Sequence, residues 1–171
     1  MAQDRSAPWL ERSVELGDDV LEIGPGPGLT TDLLRERVAR VTAIEIDADL
    51  AEGLTTRLSG TNVEVIQGDA THSGLPDNRY SATTCFSMLH HMPSPEIQDQ
   101  LFAEIARVLR PGGTFIGEDP MDSDFVRRSH VGDTFVPLDP DGLGPRLEEA
   151  GLGKVNIKAS VGRIRFTATK R

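Results

Sequence analysis

Residues 20–28 read VLEIGPGPG, an apolar run that carries one acidic residue and then places glycines at 24, 26 and 28. The stretch that follows, LTTDLLRERVA at 29–39, sets Leu29, Leu33, Leu34 and Val38 at helical spacing. The unit is therefore a buried strand, a glycine turn and a helix. Such a turn lets a ligand approach the backbone, and the helix start aims free N–H groups at it. A phosphate loop would end in Gly-Lys-Ser/Thr, but Gly28 is followed by Leu29, Thr30 and Thr31, which removes that reading. A dinucleotide fingerprint would place its third glycine where Leu29 stands, which weakens a nicotinamide-dependent oxidoreductase. A purely structural tight turn is the competing reading of these residues alone.

The rest of the chain repeats the alternation. DVLEI at 19–23, RVTAIEI at 40–46, NVEVIQ at 62–67, YSATTCFSML at 80–89 and TFIGED at 114–119 have strand character. Between them, DADLAEGLTTRLS carries Leu50, Leu54 and Leu58 at four-residue spacing. SPEIQDQLFAEIARVLRPGG has a capping Ser94, Pro95 at the first helical position and a stop at Pro111 and Gly112. GPRLEEAGL predicts a short helix, and KVNIKAS with RIRFTATK predicts a closing antiparallel hairpin turned at Val161 and Gly162. Alternating strands and helices imply a parallel sheet covered by helices. The chain has 171 residues, 37% of them hydrophobic, enough for one domain over 1–171 and too few for two.

Charge and composition narrow the partners. A net charge of −9 with no basic stripe argues against nucleic acid and fits a neutral or cationic small molecule. No apolar stretch reaches the roughly 20 residues of a membrane span, and the first residues lack a signal-peptide apolar region, so a cytoplasmic protein is expected. The single Cys85 cannot by itself build a cysteine zinc site and sits in an apolar run as a buried thiol; no metal site is expected.

Two carboxylates extend the glycine turn. Glu45 ends the second strand, where it can accept hydrogen bonds from both hydroxyls of a ribose. Asp69, behind Gly68, ends the third and can accept from an exocyclic amine. Together with the turn they fall on the carboxyl edge of one sheet and point to a nucleoside ligand.

VLEIGPGPG, AIEID, GDAT, MLHHM and LRPGGTFI occur in the order and spacing of class I S-adenosylmethionine-dependent methyltransferases, which the chain resembles over about residues 17–118, especially the small-molecule type whose fourth strand ends in Leu-His. The resemblance implies an α/β, Rossmann-like, doubly wound sheet of seven strands in the order 3-2-1-4-5-7-6, with the last strand antiparallel and helices on both faces. It implies S-adenosyl-L-methionine as methyl donor and S-adenosyl-L-homocysteine as product. The methionine end would lie over Gly24, Pro25, Gly26 and Gly28, with Glu22 contacting its amino group. The ribose would lie on Glu45, and the adenine between Ile46 and the Gly68, Asp69 and Ala70 region, with Phe86 and Ser87 facing the same ligand.

Methyl transfer is an in-line displacement, and a base is required only when the acceptor arrives protonated. His90 matches the Leu-His position and is the candidate base or substrate orienter, with strand capping as the competing role. His91, Asp119, His130 and Asp133 are candidates for the acceptor pocket, the last three on an expected loop over 119–139. FSMLHH does not match the Asn/Asp-Pro-Pro-aromatic sequence of the nucleic-acid branches, so a small-molecule acceptor is expected.

Two features depart from the family pattern. Ser81 stands where an acidic residue often follows the aromatic one. Relatives usually carry longer helices over the cofactor before the first strand, where APWLERSVEL forms one short helix, so the site is expected to be open, closed by the partner of a homodimer, or shortened at this end. A noncatalytic cofactor-binding sensor or subunit stays open beside the enzyme.

Overall fold

The computed structural model describes residues 15–171, so most of the helix expected over 7–16 lies outside the described residues. Seven strands form one sheet: β1 (Asp19–Ile23), β2 (Arg40–Glu45), β3 (Val63–Gln67), β4 (Tyr80–Phe86), β5 (Leu109–Pro120), β6 (Leu152–Ser160) and β7 (Arg163–Lys170). Their spatial order is β3-β2-β1-β4-β5-β7-β6, as the family resemblance implied. The first five strands are mutually parallel, and β7 runs antiparallel between β5 and β6. Five helices connect them: α1 (Leu29–Leu34), α2 (Ala48–Arg57), α3 (Pro95–Val108), α4 (Asp124–Ser129) and α5 (Pro140–Glu149).

The two-residue period of the strands sorts the core into two faces. Leu21, Ile23, Ile44, Cys85, Phe115 and Phe166 pack with Leu101, Phe102 and Ile105 of α3 and Leu143 and Leu147 of α5. Val20, Val41, Ala82 and Ile116 pack on the other side with Leu34 of α1. Burial on both faces explains why the central strands read as nearly continuous apolar runs.

Three boundaries differ from those the sequence predicts. The helix after the glycine turn ends at Leu34, because the Asn62 amide donates to the carbonyls of Arg35 and Val38 at 2.9 and 2.8 Å, drawing those groups out of a helical ladder. β5 starts at Leu109, five residues before TFIGED. Its Arg110–Gly113 segment forms an irregularity opposite β4, where pairing jumps from Tyr80↔Leu109 to Ala82↔Thr114. The last helix begins at Pro140, because Asp139 accepts from the N–H groups of Asp141 and Gly142 while Gly142 and Pro145 mask the helical pattern.

Ser81 has a definite role. Its hydroxyl accepts from the Asp19 N–H at 3.0 Å and lies 2.7 and 2.8 Å from the carbonyls of Leu16 and Asp19, tying the entry of β1 to β4.

Glu104 on α3 locks that helix to the turn before β4. Its carboxylate accepts from Arg107 at 2.7 and 2.8 Å and from the Ser73 N–H and hydroxyl at 3.0 and 2.6 Å. The Arg107 guanidinium, helped by Ser73, holds the carboxyl at about 2 against an ordinary 4.5. A carboxyl depressed in the folded state contributes fully above its unfolded value and loses that contribution as pH falls through the folded one. Glu104 should therefore add roughly 2–3 kcal/mol at neutral pH, lost between about pH 4.5 and 2. In urea unfolding, Glu104→Gln should be less stable at pH 6, with the gap closing toward pH 3. A gap independent of pH would remove this role.

Candidate active site

The glycine turn and Glu45 form a single unit. Gly24, Gly26 and Gly28 all hold positive φ, at 64°, 54° and 84°, a conformation costly for other residues. Around Gly26, a side-chain carbon would meet nothing within 4 Å, so this backbone faces open space. At Gly28 the same carbon would fall 2.5 Å from Leu54 of α2, so that glycine is needed for helix packing. The buried Glu45 carboxylate accepts from the Gly26 N–H with one oxygen and from the Asp47 N–H with the other, both at 3.0 Å. The turn and the end of β2 are thereby held together, and each carboxylate oxygen keeps a lone pair for a further donor.

An open cleft of about 680 Å³ lies along the carboxyl ends of β1, β2, β3 and β4. Of the residues expected to hold the cofactor, Gly24, Gly26, Glu45, Ile46, Gly68, Asp69, Ala70 and Ser87 line it. Ile46 is 68% exposed, a large apolar side chain left open on the cleft wall. Asp69 caps the short 3-10 turn Ala70–His72, its Oδ1 accepting from the N–H and hydroxyl of Thr71 at 2.8 Å each. Its other oxygen takes no hydrogen bond among the described residues. Ser87 has φ of 52°, a left-handed conformation costing roughly 1–2 kcal/mol for a non-glycine residue, and its N–H donates to the Glu118 carbonyl at 2.7 Å.

The other expected residues sit behind the cleft. Glu22 is buried and accepts from the Thr31 hydroxyl at 2.6 Å, which ties β1 to α1. Pro25 and Gly28 are buried in the turn, and the side chain of Phe86 packs against the Val20–Ile116 core. Sequence reasoning missed Met88, which packs over Gly24, and also Met92, Ile97 and Leu101, which line the far wall. Their spacing reads as ordinary core, so only the position of α3 across the cleft reveals them.

Beyond β4 the chain makes a 3-10 turn, Leu89–His91. His90 is buried and its Nδ1 is hydrogen-bonded to Asp119, a fully buried carboxylate near the end of β5. The same carboxylate accepts from the Leu89 N–H at 3.1 Å and the His90 N–H at 3.4 Å. Two backbone N–H donors hold this buried carboxylate as an acceptor, which assigns the hydrogen of the His90 ring to Nδ1 and leaves the lone pair on Nε2.

His90 does not line the nucleoside-sized cleft. Its ring is bordered by His91, His130 and Phe135, with centroids at 4.0, 5.1 and 5.7 Å. His91 does line the cleft, with Nδ1 3.4 Å from Asp133. Burial, reinforced by His90, pushes the His91 imidazole below its ordinary pKa. The structure thus brings three of the acceptor-side candidates, His91, Asp119 and His130, around His90, with the fourth, Asp133, beside His91. Cys85, within β4, is fully buried, and burial pushes its thiol well up, leaving it inert.

A doubly wound sheet with its cleft where the strand order reverses, between β1 and β4, defines a nucleotide-binding class of α/β fold. Within that class, a model described as a methyltransferase domain matches residues 21–117, and the chain belongs to that family.

Over 110 residues it is 34% identical to a ubiquinone biosynthesis O-methyltransferase of Pseudomonas fluorescens, covering 61% of this chain and 46% of that one. Over 73 residues it is 45% identical to a "Probable ribosomal RNA small subunit methyltransferase A" of Thermococcus onnurineus, covering 40% and 27%. The chain thus spans less than half the length of these relatives. In fold it is similar to phosphoethanolamine N-methyltransferase 2 of Haemonchus contortus, solved in complex with S-adenosyl-L-methionine, with a TM-score of 0.83 at 12% identity over 96% of this chain and 51% of that one. No helix among the described residues is long and apolar enough to cross a membrane.

Proposed function

We propose that the chain transfers a methyl group from S-adenosyl-L-methionine to a small-molecule acceptor, with His90 as the base that removes the acceptor's proton. The observation that carries the reading is the side-by-side placement of two features: a cleft edged by Gly26, Glu45 and Asp69, and a buried His90–Asp119 pair just beyond it. The cleft residues fit the cofactor. Gly26 offers bare backbone for the methionine end, Glu45 offers paired acceptors for two ribose hydroxyls, and Asp69 has an uncommitted oxygen for the adenine amine, with Ile46 apolar against the base.

When bound, the cofactor would supply an electrophilic methyl group on a sulfonium centre. The protein's part is to hold the acceptor in line and exclude water. Asp119 fixes the His90 tautomer and balances the imidazolium that forms as His90 Nε2 takes the proton. The acceptor would lie beneath the segment carrying His130 and Phe135, which the Val136 N–H ties to the His90 carbonyl at 2.7 Å.

The ubiquinone O-methyltransferase relative supports an oxygen acceptor on a small molecule, and the net charge of −9 favours it over the RNA substrate that the ribosomal relative's name implies. Labelled-methyl screening against metabolite pools and against RNA tests this. We expect label in a small molecule, and His90→Ala should lower its turnover by about 10²–10⁴-fold with cofactor affinity within threefold of the parent. Labelling of RNA alone would overturn the acceptor class, and unchanged turnover would remove His90 as the base.

A further inference from the structure

We infer that His90, His91 and His130 form a binding site for a divalent cation of the zinc class at the acceptor end of the cleft. One nitrogen from each ring lies within 4.8 Å of those of the other two. The Nδ1 atoms lie beside the kind of acceptor that orients metal-binding histidines. The Nδ1 of His90 meets the Asp119 carboxylate, that of His130 lies 2.8 Å from the Val126 carbonyl, and that of His91 lies 3.4 Å from the Asp133 carboxylate.

At His90 and His130 the acceptor at Nδ1 fixes hydrogen there and leaves the lone pair on Nε2, and in all three rings Nε2 has no hydrogen-bond partner among the described residues. Packing alone does not account for the grouping, since the His91 side chain is 43% exposed.

Three imidazoles with outer-shell acceptors make the donor set of an open zinc-type site, whose fourth position takes water or a substrate oxygen. Nitrogen ligands select zinc, cobalt, nickel or copper over magnesium and calcium. Tetrahedral binding needs the nitrogens roughly 3.3 Å apart. The rings must therefore close inward, and His91 and His130, on an exposed turn and a half-buried loop, have room to do so. His130 comes from beyond α4, so an ion would also tie that segment over the acceptor space.

The site is a second use of His90, because Nε2 can hold an ion or accept a proton but not both. The inference depends on the cluster itself and stands apart from methyl transfer.

The test is titration of the chelator-treated full chain with Co²⁺ alone, read by visible absorption, and with Zn²⁺ by calorimetry. We expect a single ion per chain and no competition by Mg²⁺. His130→Ala and His91→Ala should each weaken binding about 100-fold or more, and Asp133→Asn about tenfold. S-adenosylhomocysteine affinity in the same samples reports on folding and separately tests the cofactor reading. If the parent fails to bind that nucleoside while Co²⁺ binding follows the histidines, the cofactor assignment falls and the ion site stands. No binding below millimolar Co²⁺, or affinities within threefold in both histidine variants, would overturn the ion site.

Discussion

Asp119→Asn should reduce methyl transfer by about 10²–10⁴-fold while leaving S-adenosylhomocysteine affinity within threefold of the parent. The carboxylate has three donors to satisfy, the His90 Nδ1–H and the N–H groups of Leu89 and His90. An amide has only one oxygen. If its NH₂ faces Leu89, two donors oppose each other and the charge that stabilises the imidazolium is gone. If it faces His90, it competes for the lone pair of the other tautomer and removes the base from Nε2. Either orientation disables the same pair.

Residues that act as one unit are strongly non-additive. His90→Ala, Asp119→Asn and the double variant should therefore be slowed to about the same level. Additive losses in the double variant would show that Asp119 serves the fold and not His90. Thermal unfolding of each variant separates the two, because stranding a buried N–H costs about 1–3 kcal/mol whatever happens to the chemistry.

Much of the fold could be read from period alone. The strand-helix alternation and the two-sided burial of β1 and β2 follow from apolar runs of fixed length, and α3 is bounded by Ser94 and Pro95 at one end and by a strand at the other. The boundaries that were not legible depend on contacts distant in sequence. Asn62 stops α1 from 24 and 27 residues away, and β5 accommodates Pro111, Gly112 and Gly113 because β4 pairs across an irregularity there.

The site divides the same way. Glycines with positive φ and strand-end carboxylates have local signatures, so the cleft edge was visible. Asp119 read as one acidic residue among several on a loop, although it is fully buried near the end of a strand, and only the alignment of β5 beside β4 gives it three donors. The difference between His90 and His91 was equally hidden. One residue of the 3-10 turn Leu89–His91 points His91 to the cleft and His90 to Asp119.

Glu45→Ala should weaken S-adenosylhomocysteine binding by about 3–5 kcal/mol, a factor of at least about 100. Two losses combine. Hydrogen bonds to a carboxylate contribute about 1.5–3 kcal/mol each, and this carboxylate can accept from both ribose hydroxyls. The same side chain clasps the N–H groups of Gly26 and Asp47. Without it, only the Gly24 N–H to Ile44 carbonyl bond ties the glycine turn to β2, and the ligand must order the backbone around Gly26 on binding.

Glu45→Gln separates the terms. It keeps one acceptor and the packing but turns an NH₂ toward either Gly26 or Asp47, so it should bind more weakly than the parent and more tightly than Glu45→Ala. Asp69→Ala removes only one acceptor beyond its cap of Thr71, and should lose about 1–3 kcal/mol. Calorimetry on the three variants orders them. If Glu45→Ala retained affinity within threefold, the ribose would not lie on Glu45, and the ligand would have to sit deeper, toward Met88 and Met92.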